Sequence, residues 1–135
     1  MKKKTIIILS VVAVFIITGF LGAYQLIREM QKNMAVVSDM QIEDVDISTV
    51  SDGTYEGSYG TTLVRASVEL TIKGHKITDI KLTKHDNGMG KAAESIPDMV
   101  VKSGTLQVDT VSGATYSSKV ILKAIENALN QAVNS

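Results

Sequence analysis

The hydroxyl and glycine residues between Asp109 and Ser118 are the part of this chain best suited to chemistry. The segment has the sequence D-T-V-S-G-A-T-Y-S-S, and apolar residues with helical spacing follow it. It is therefore expected at the N-terminus of a helix, where the first N–H groups lack partners within the helix and the helix dipole adds positive charge. The sequence predicts a site for a phosphate at this point.

The residues alone leave more than one role open for this segment. Ser112, Thr115 and Ser117 could act only as N-cap residues, because Ser and Thr are common in that position. Asp109 could brace the turn, and Tyr116 could join the core. Without further information, the capping role is the favoured one.

The pattern D-x-x-S-G-A-T at residues 109–115 resembles the modification motif of FMN-binding domains. Three upstream segments match the same family in order. D-G-T-Y-E-G at 52–57 resembles its opening strand, 64–82 resembles its central hairpin, and N-G-M-G at 87–90 resembles its Gly-x-Gly loop beside the flavin. The family is related to the flavin subunits of the sodium-pumping NADH:quinone reductase and of Rnf-type complexes.

The resemblance implies that one FMN per chain is joined through its phosphate to the Thr115 hydroxyl. A flavin transferase would install it from FAD with the help of a divalent metal, and Asp109 would be recognised by that enzyme. The remaining cofactor-binding residues implied by the resemblance lie beside the attachment point or in the upstream loop: Ser112, Gly113, Ala114 and Tyr116, and Gly88, Met89 and Gly90. Tyr116 is implied either to pack on the flavin ring or to join the core.

The elements that would position these residues indicate an α+β fold, with a small antiparallel sheet packed by helices. Alternating apolar residues at 64–72 predict a strand with one buried face. The expected elements are strands at 54–59, 64–72, 77–83 and 106–108, and helices at 92–102, with a restart near Ile96, and at 117–132. The strand at 106–108 would deliver Asp109 to the motif.

The N-terminal residues predict a membrane anchor. Three lysines precede an uncharged apolar run from Thr5 to Tyr24, and roughly 20 apolar residues suffice to cross a bilayer. The lysines favour a cytoplasmic N-terminus, which would place the C-terminal domain outside the cytoplasm. The predicted organisation is an anchor at 1–25, a juxtamembrane connector at 26–50 that includes a tether, and an FMN-binding domain at 51–135. Cleavage of the N-terminal segment is left open.

Composition and charge exclude several classes of function. The chain has no cysteine, so disulfides, thiol catalysis and thiolate metal sites are ruled out. Nine of the 14 basic residues and 13 of the 14 acidic residues lie beyond Ala35, which gives no electrostatic reason to expect a nucleic-acid partner. His75 and His85 are predicted in turns at the surface, with no metal site and no catalytic residue assigned.

The resulting hypothesis is a membrane-anchored, extracytoplasmic electron carrier. FMN on Thr115 would exchange electrons with a membrane-embedded or soluble donor and acceptor, so the chain is interpreted as a redox carrier rather than as a stand-alone enzyme. Two alternatives remain: a non-catalytic interaction module with the same fold and no flavin, or a reductase that binds a small acceptor beside the ring.

Overall fold

The computed structural model of the chain describes residues 2–86 and 90–135. These residues form two compact units, one up to Lys32 and the other Asn33–Ser135. The elements, in chain order, are α1 (Lys3–Ser38), β1 (Gly53–Gly60), β2 (Arg65–Lys73), β3 (Lys76–Asp86), a 3-10 helix (Lys91–Ser95), α2 (Ile96–Ser103) and α3 (Thr115–Val133). The predicted α+β class with a long apolar N-terminal helix is confirmed.

Helix α1 is long enough and apolar enough to span a membrane. Its side chains up to Lys32 are exposed, as is typical of a helix whose apolar surface faces lipid. The helix continues past residue 25 to Ser38, and its last turns belong to the C-terminal unit. The predicted boundaries at residues 25 and 50 stay predictions.

The three strands of the described residues form one antiparallel sheet in the order β1-β2-β3. The central strand β2 buries every second side chain, as its alternation predicts: Ala66, Val68, Leu70 and Ile72. In this register Leu70 lies opposite Tyr55 on one side and Ile80 on the other. One face of the sheet is therefore apolar and is available for helix packing.

Helix α3 packs on this apolar face through one broad stripe of buried residues. A glycine in β1 makes the contact possible. A Cβ added at Gly57 would lie 2.3 Å from the carbonyl oxygen of Ala124 and 2.3 Å from the backbone nitrogen of Ala128. The helix backbone thus lies directly against the strand, which fixes the position of α3 and of its N-terminus.

The predicted strand at 106–108 is wrong, because residues 105–111 are irregular. These residues pair with the connector that follows α1, and not with a strand of the sheet. The Asp44 carboxylate accepts hydrogen bonds from the Thr105 hydroxyl and the Leu106 N–H, both at 2.6 Å, and the Gln107 side chain donates to the Ile42 carbonyl at 2.8 Å. This part of the predicted tether therefore lies against the domain.

The two histidines differ from each other in burial. His75 lies in the β2–β3 turn as predicted, with φ of 60°. His85 lies in β3, which extends three residues beyond the predicted end, and its side chain is only 2% exposed. Its Nδ1 lies 3.1 Å from a carboxylate oxygen of Glu94 in the 3-10 helix. The prediction of a surface His85 in a turn is wrong, because β3 continues through this residue and its side chain is buried.

Candidate functional site

A tight turn at residues 111–114 sets the direction in which the chain enters α3. The Ala114 N–H donates to the Val111 carbonyl at 2.9 Å, and Gly113 has φ of 79°. A positive φ at the third residue is the requirement of a type II turn. No atom lies within 4 Å of a Cβ built on Gly113, so the turn needs glycine for its backbone conformation and not for space.

A buried serine stabilises this turn by hydrogen bonds from the protein interior. The Ser118 hydroxyl accepts a hydrogen bond from the Val111 N–H at 3.0 Å and donates one to the Ala114 carbonyl at 2.8 Å. Ser118 is fully buried, so these two bonds satisfy a hydroxyl that would otherwise be costly to bury. Ser118 was not predicted as a site residue, although its position four residues after Ala114 is a detectable signal for a bond of this kind.

The N-terminus of α3 presents backbone N–H groups without a side-chain cap. Ala114 is the N-cap residue, and within residues 90–135 no side chain caps the helix and no acidic residue lies in its first turn. The first intrahelical bond runs from the Ser118 N–H to the Ala114 carbonyl, so the N–H groups of Thr115, Tyr116 and Ser117 precede it. The capping interpretation of Ser112, Thr115 and Ser117 is therefore wrong.

The residues around this N-terminus differ in their access to solvent. Ser112, Gly113 and Thr115 are exposed, whereas Ala114 and Ser117 are buried. The Thr115 residue is the first of the helix and stands in the positive field of its dipole. The arrangement can therefore present an accessible hydroxyl together with donors for a neighbouring anion.

Tyr116 connects this helix turn to the β1–β2 loop. Its hydroxyl donates to Thr61 Oγ1 at 2.7 Å, and the same Thr61 oxygen accepts bonds from the N–H groups of Leu63 and Val64 at 3.2 Å. The half-buried ring packs against the core and is fixed in orientation by these bonds. Contact of the ring with a flavin stays a prediction.

A mostly apolar cavity of about 430 Å³ opens beside Thr115 and Tyr116. This volume lies in the range of small-molecule sites. Its walls come from the end of α1 and from the first turns of α3: Met34, Ala35, Val37, Ser38, Thr115, Tyr116 and Lys119. The α1 residues were not predicted as part of the site, although the apolar group Met34 to Val37 after a polar stretch is a detectable signal for packing.

The other predicted site residues lie apart from this cavity. Asp109 is exposed and borders a separate groove of about 480 Å³ that Met99 and Lys102 also line. Gly90 is buried and begins the 3-10 helix, where its carbonyl accepts the Ala93 N–H at 3.0 Å. The predicted residues Gly88 and Met89 lie outside the described residues.

Metal-binding side chains are not clustered in the part of the chain that the structure describes. Among residues 2–86 and 90–135, no group of three or more His, Cys, Asp or Glu side chains could hold a metal ion.

Comparison with known proteins identifies the C-terminal unit. A family model described as FMN-binding domain matches residues 59–130. Over 68 residues the chain is 37% identical to the NADH:acrylate oxidoreductase of Vibrio harveyi. This aligned segment covers 48% of the chain and 7% of that protein. Over 81 residues the chain is 36% identical to the urocanate reductase of Eggerthella lenta. This aligned segment covers 58% of the chain and 13% of that protein.

A third relative is similar over a longer stretch. An uncharacterised protein of Treponema pallidum is 26% identical over 126 residues, which covers 90% of the chain and 35% of that protein. The chain thus spans only a small part of each of these relatives, about a third at most.

Proposed function

We propose a function that proceeds from one premise: the chain belongs to the FMN-binding domain family, whose model covers more than half of it. The function is electron transfer by an FMN that is joined through its phosphate to Thr115. The observation that carries the proposal is the exposed threonine at the uncapped N-terminus of α3, next to an apolar cavity.

The residues present fit both halves of this cofactor. The N–H groups of Thr115, Tyr116 and Ser117 are the donors that a phosphate prefers at a helix N-terminus. The apolar cavity of about 430 Å³ offers a surface that an aromatic ring system can cover. The bound flavin would supply one- and two-electron redox chemistry, while the protein supplies position and electrostatics.

The attachment step assigned to Thr115 is a group transfer from FAD. The Thr115 hydroxyl oxygen attacks the phosphorus of the FMN half, the bond between that phosphorus and the bridging pyrophosphate oxygen breaks, and AMP leaves. The hydroxyl proton is lost to solvent or to a base of the transferase. The positive end of the α3 dipole favours the product, because the new phosphodiester keeps one negative charge.

The N-terminal unit supports a membrane location for this carrier. We propose that α1 crosses the cell membrane once, with Lys2, Lys3 and Lys4 on the cytoplasmic side and the flavin domain on the other. The proposed partners are the lipid bilayer, the flavin transferase, and a membrane or soluble electron donor and acceptor. A covalent bond would retain the cofactor where free FMN is scarce.

The relatives bear on the choice between a carrier and a reductase. The named reductases are much longer than this chain, because the matched segments of 68 and 81 residues correspond to only 7% and 13% of their lengths. A segment of that size contributes a domain to a larger enzyme, so the reduction of acrylate or urocanate is not transferred to this chain. We propose the carrier role, with a partner protein as the site of substrate chemistry.

The test of the attachment is co-expression of the full chain with a flavin transferase. We expect a fluorescent band on a denaturing gel and an intact mass increased by one FMN moiety. Thr115→Val removes the attacking oxygen and abolishes both signals. Thr110→Val, in the same segment, is the matched control and retains them. An unmodified mass for the unaltered protein from its native host would refute the proposal.

A further inference from the structure

We propose that the last turns of α1 form one wall of the flavin site. This wall lies outside the residues that match the family model. The matched residues are 59–130, whereas the wall consists of Met34, Ala35, Val37 and Ser38. The inference rests on the proposed function, because it assigns the place of the ring of the same cofactor.

The wall is fixed to the C-terminal unit by its own core contacts. Val37 is 1% exposed and belongs to the hydrophobic core, whereas Val36 beside it is 61% exposed. Because burial of an apolar side chain is favourable, Val37 holds this turn of α1 against the C-terminal unit. Met34 and Ala35 are thereby presented toward the cavity.

A lysine joins this wall to the helix turn that carries the attachment residue. The Lys119 ammonium of α3 donates to the carbonyl of Ser38, the last residue of α1. The final carbonyls of a helix lack partners within the helix and stand at its negative end, which is where a lysine is favourable. Thr115 and Lys119 are four residues apart and so share one side of α3.

The composition of the cavity indicates which part of the cofactor it takes. Met34, Ala35, Val37 and the Tyr116 ring are apolar, and a methionine adapts well to a flat ligand surface. Thr115 lines the same cavity, so a group tethered to its hydroxyl starts at the cavity's edge. The phosphate is thus assigned to the N–H groups of α3 and the isoalloxazine ring to the cavity between α3 and the end of α1.

The test uses a pair of substitutions on neighbouring residues of α1. Ala35→Leu places a larger side chain in the cavity, and Val36→Leu introduces the same residue at an exposed position that does not line it. Leucine is a good helix former, so both variants keep α1 helical. The full chain is flavinylated in detergent, and loading is read from the fluorescent band on a denaturing gel.

The position of the ring is read from iodide quenching and from the anisotropy of flavin fluorescence. We expect Ala35→Leu to be loaded, with a quenching constant raised several-fold toward that of free FMN and a lowered anisotropy. Val36→Leu leaves both values unchanged. Lys119→Met removes the contact with Ser38. We expect it to shift the quenching constant and the anisotropy in the same direction as Ala35→Leu, so the test remains decisive if Ala35→Leu misfolds.

Two results would overturn the inference, and they are distinguishable. If the loaded Ala35→Leu and Lys119→Met variants match Val36→Leu in quenching and anisotropy, the ring lies elsewhere while the attachment to Thr115 stands. If the unaltered chain carries no flavin on the gel, the proposed function itself fails, and the assignment of the cavity fails with it.

Discussion

The N-termini of α2 and α3 differ in how they satisfy the same physical requirement. Helix α2 has a proline in its first positions, an acidic residue, Asp98, in its first turn, and Ile96 and Pro97 buried. Within the described residues, neither of the two N-cap residues, Ser95 and Ala114, makes a side-chain cap hydrogen bond, but α3 has no acidic residue in its first turn and begins with an exposed threonine. Both helices nevertheless have the same positive dipole end.

The comparison indicates which of the two N-termini is open to an anionic ligand. Pro97 removes one N–H donor and Asp98 supplies negative charge, so α2 neutralises its N-terminus with its own residues. At its other end, α2 has the basic residue Lys102 in its last turn and Gly104, with φ of 70°, as its C-cap. Helix α3 leaves its N-terminal positive charge to solvent or to a ligand, which is compatible with the proposed phosphate site.

The largest effect is expected from disrupting the contact that positions α3. In Gly57→Ala the new Cβ would overlap the backbone of Ala124 and Ala128. Since a helix backbone cannot yield as a side chain does, we expect the free energy of unfolding to fall by about 3 kcal/mol. Flavin loading falls with it. Thermal denaturation and the gel assay measure the two losses.

Gly53 in the same strand provides the control for this substitution. A Cβ at Gly53 would meet the Tyr55 side chain at 3.5 Å, which is an ordinary contact. Gly53→Ala is therefore expected to keep stability and loading. Equal losses in both variants would show that α3 does not depend on close approach at Gly57.

Two glycines with positive φ allow a direct comparison between the helices. Gly113 precedes α3 with φ of 79° and Gly104 follows α2 with φ of 70°, and both have open space around a Cβ. Alanine in this conformation costs about 1 kcal/mol. We expect similar falls in melting temperature for Gly113→Ala and Gly104→Ala, with slower flavinylation only for Gly113→Ala. Equal flavinylation rates would contradict a role for the 111–114 turn in presenting Thr115.

The smallest effect concerns the dipoles themselves. Thr115→Asp is expected to be about 0.5 kcal/mol more stable than Thr115→Asn, because it adds the acid that α3 lacks. Asp98→Asn in α2 is expected to lose a similar amount. Chemical denaturation at low and high salt measures both differences, which shrink as salt rises. No gain for Thr115→Asp at low salt would argue against an unsatisfied positive end in α3.

The parts of the fold governed by local periodicity were predictable from the sequence. The alternation of β2 and the helical spacing of α3 each identify a buried face, and both are confirmed by the side chains that the structure buries. The D-x-x-S-G-A-T motif also predicted the helix N-terminus at which Thr115 lies. In these cases a single stretch of chain contains all the information.

The parts governed by contacts between distant residues were not predictable in this way. Leu106 to Val108 has the alternation of a strand, but its hydrogen bonds go to Ile42 and Asp44, more than 60 residues away. The buried His85 side chain contacts Glu94, and Met34 and Ala35 line the cavity next to Val37, which lies in the core. No local pattern specifies these pairings, since each depends on the tertiary arrangement.

The internal hydrogen bonds of the 111–114 turn have a consequence for biogenesis. Val111, Ala114 and Ser118 satisfy one another within the polypeptide, so the loop needs no prosthetic group to take its shape. Under the proposed attachment, we therefore expect newly made chains to fold first and to be converted afterwards, so that a colourless folded pool precedes the flavin-carrying protein.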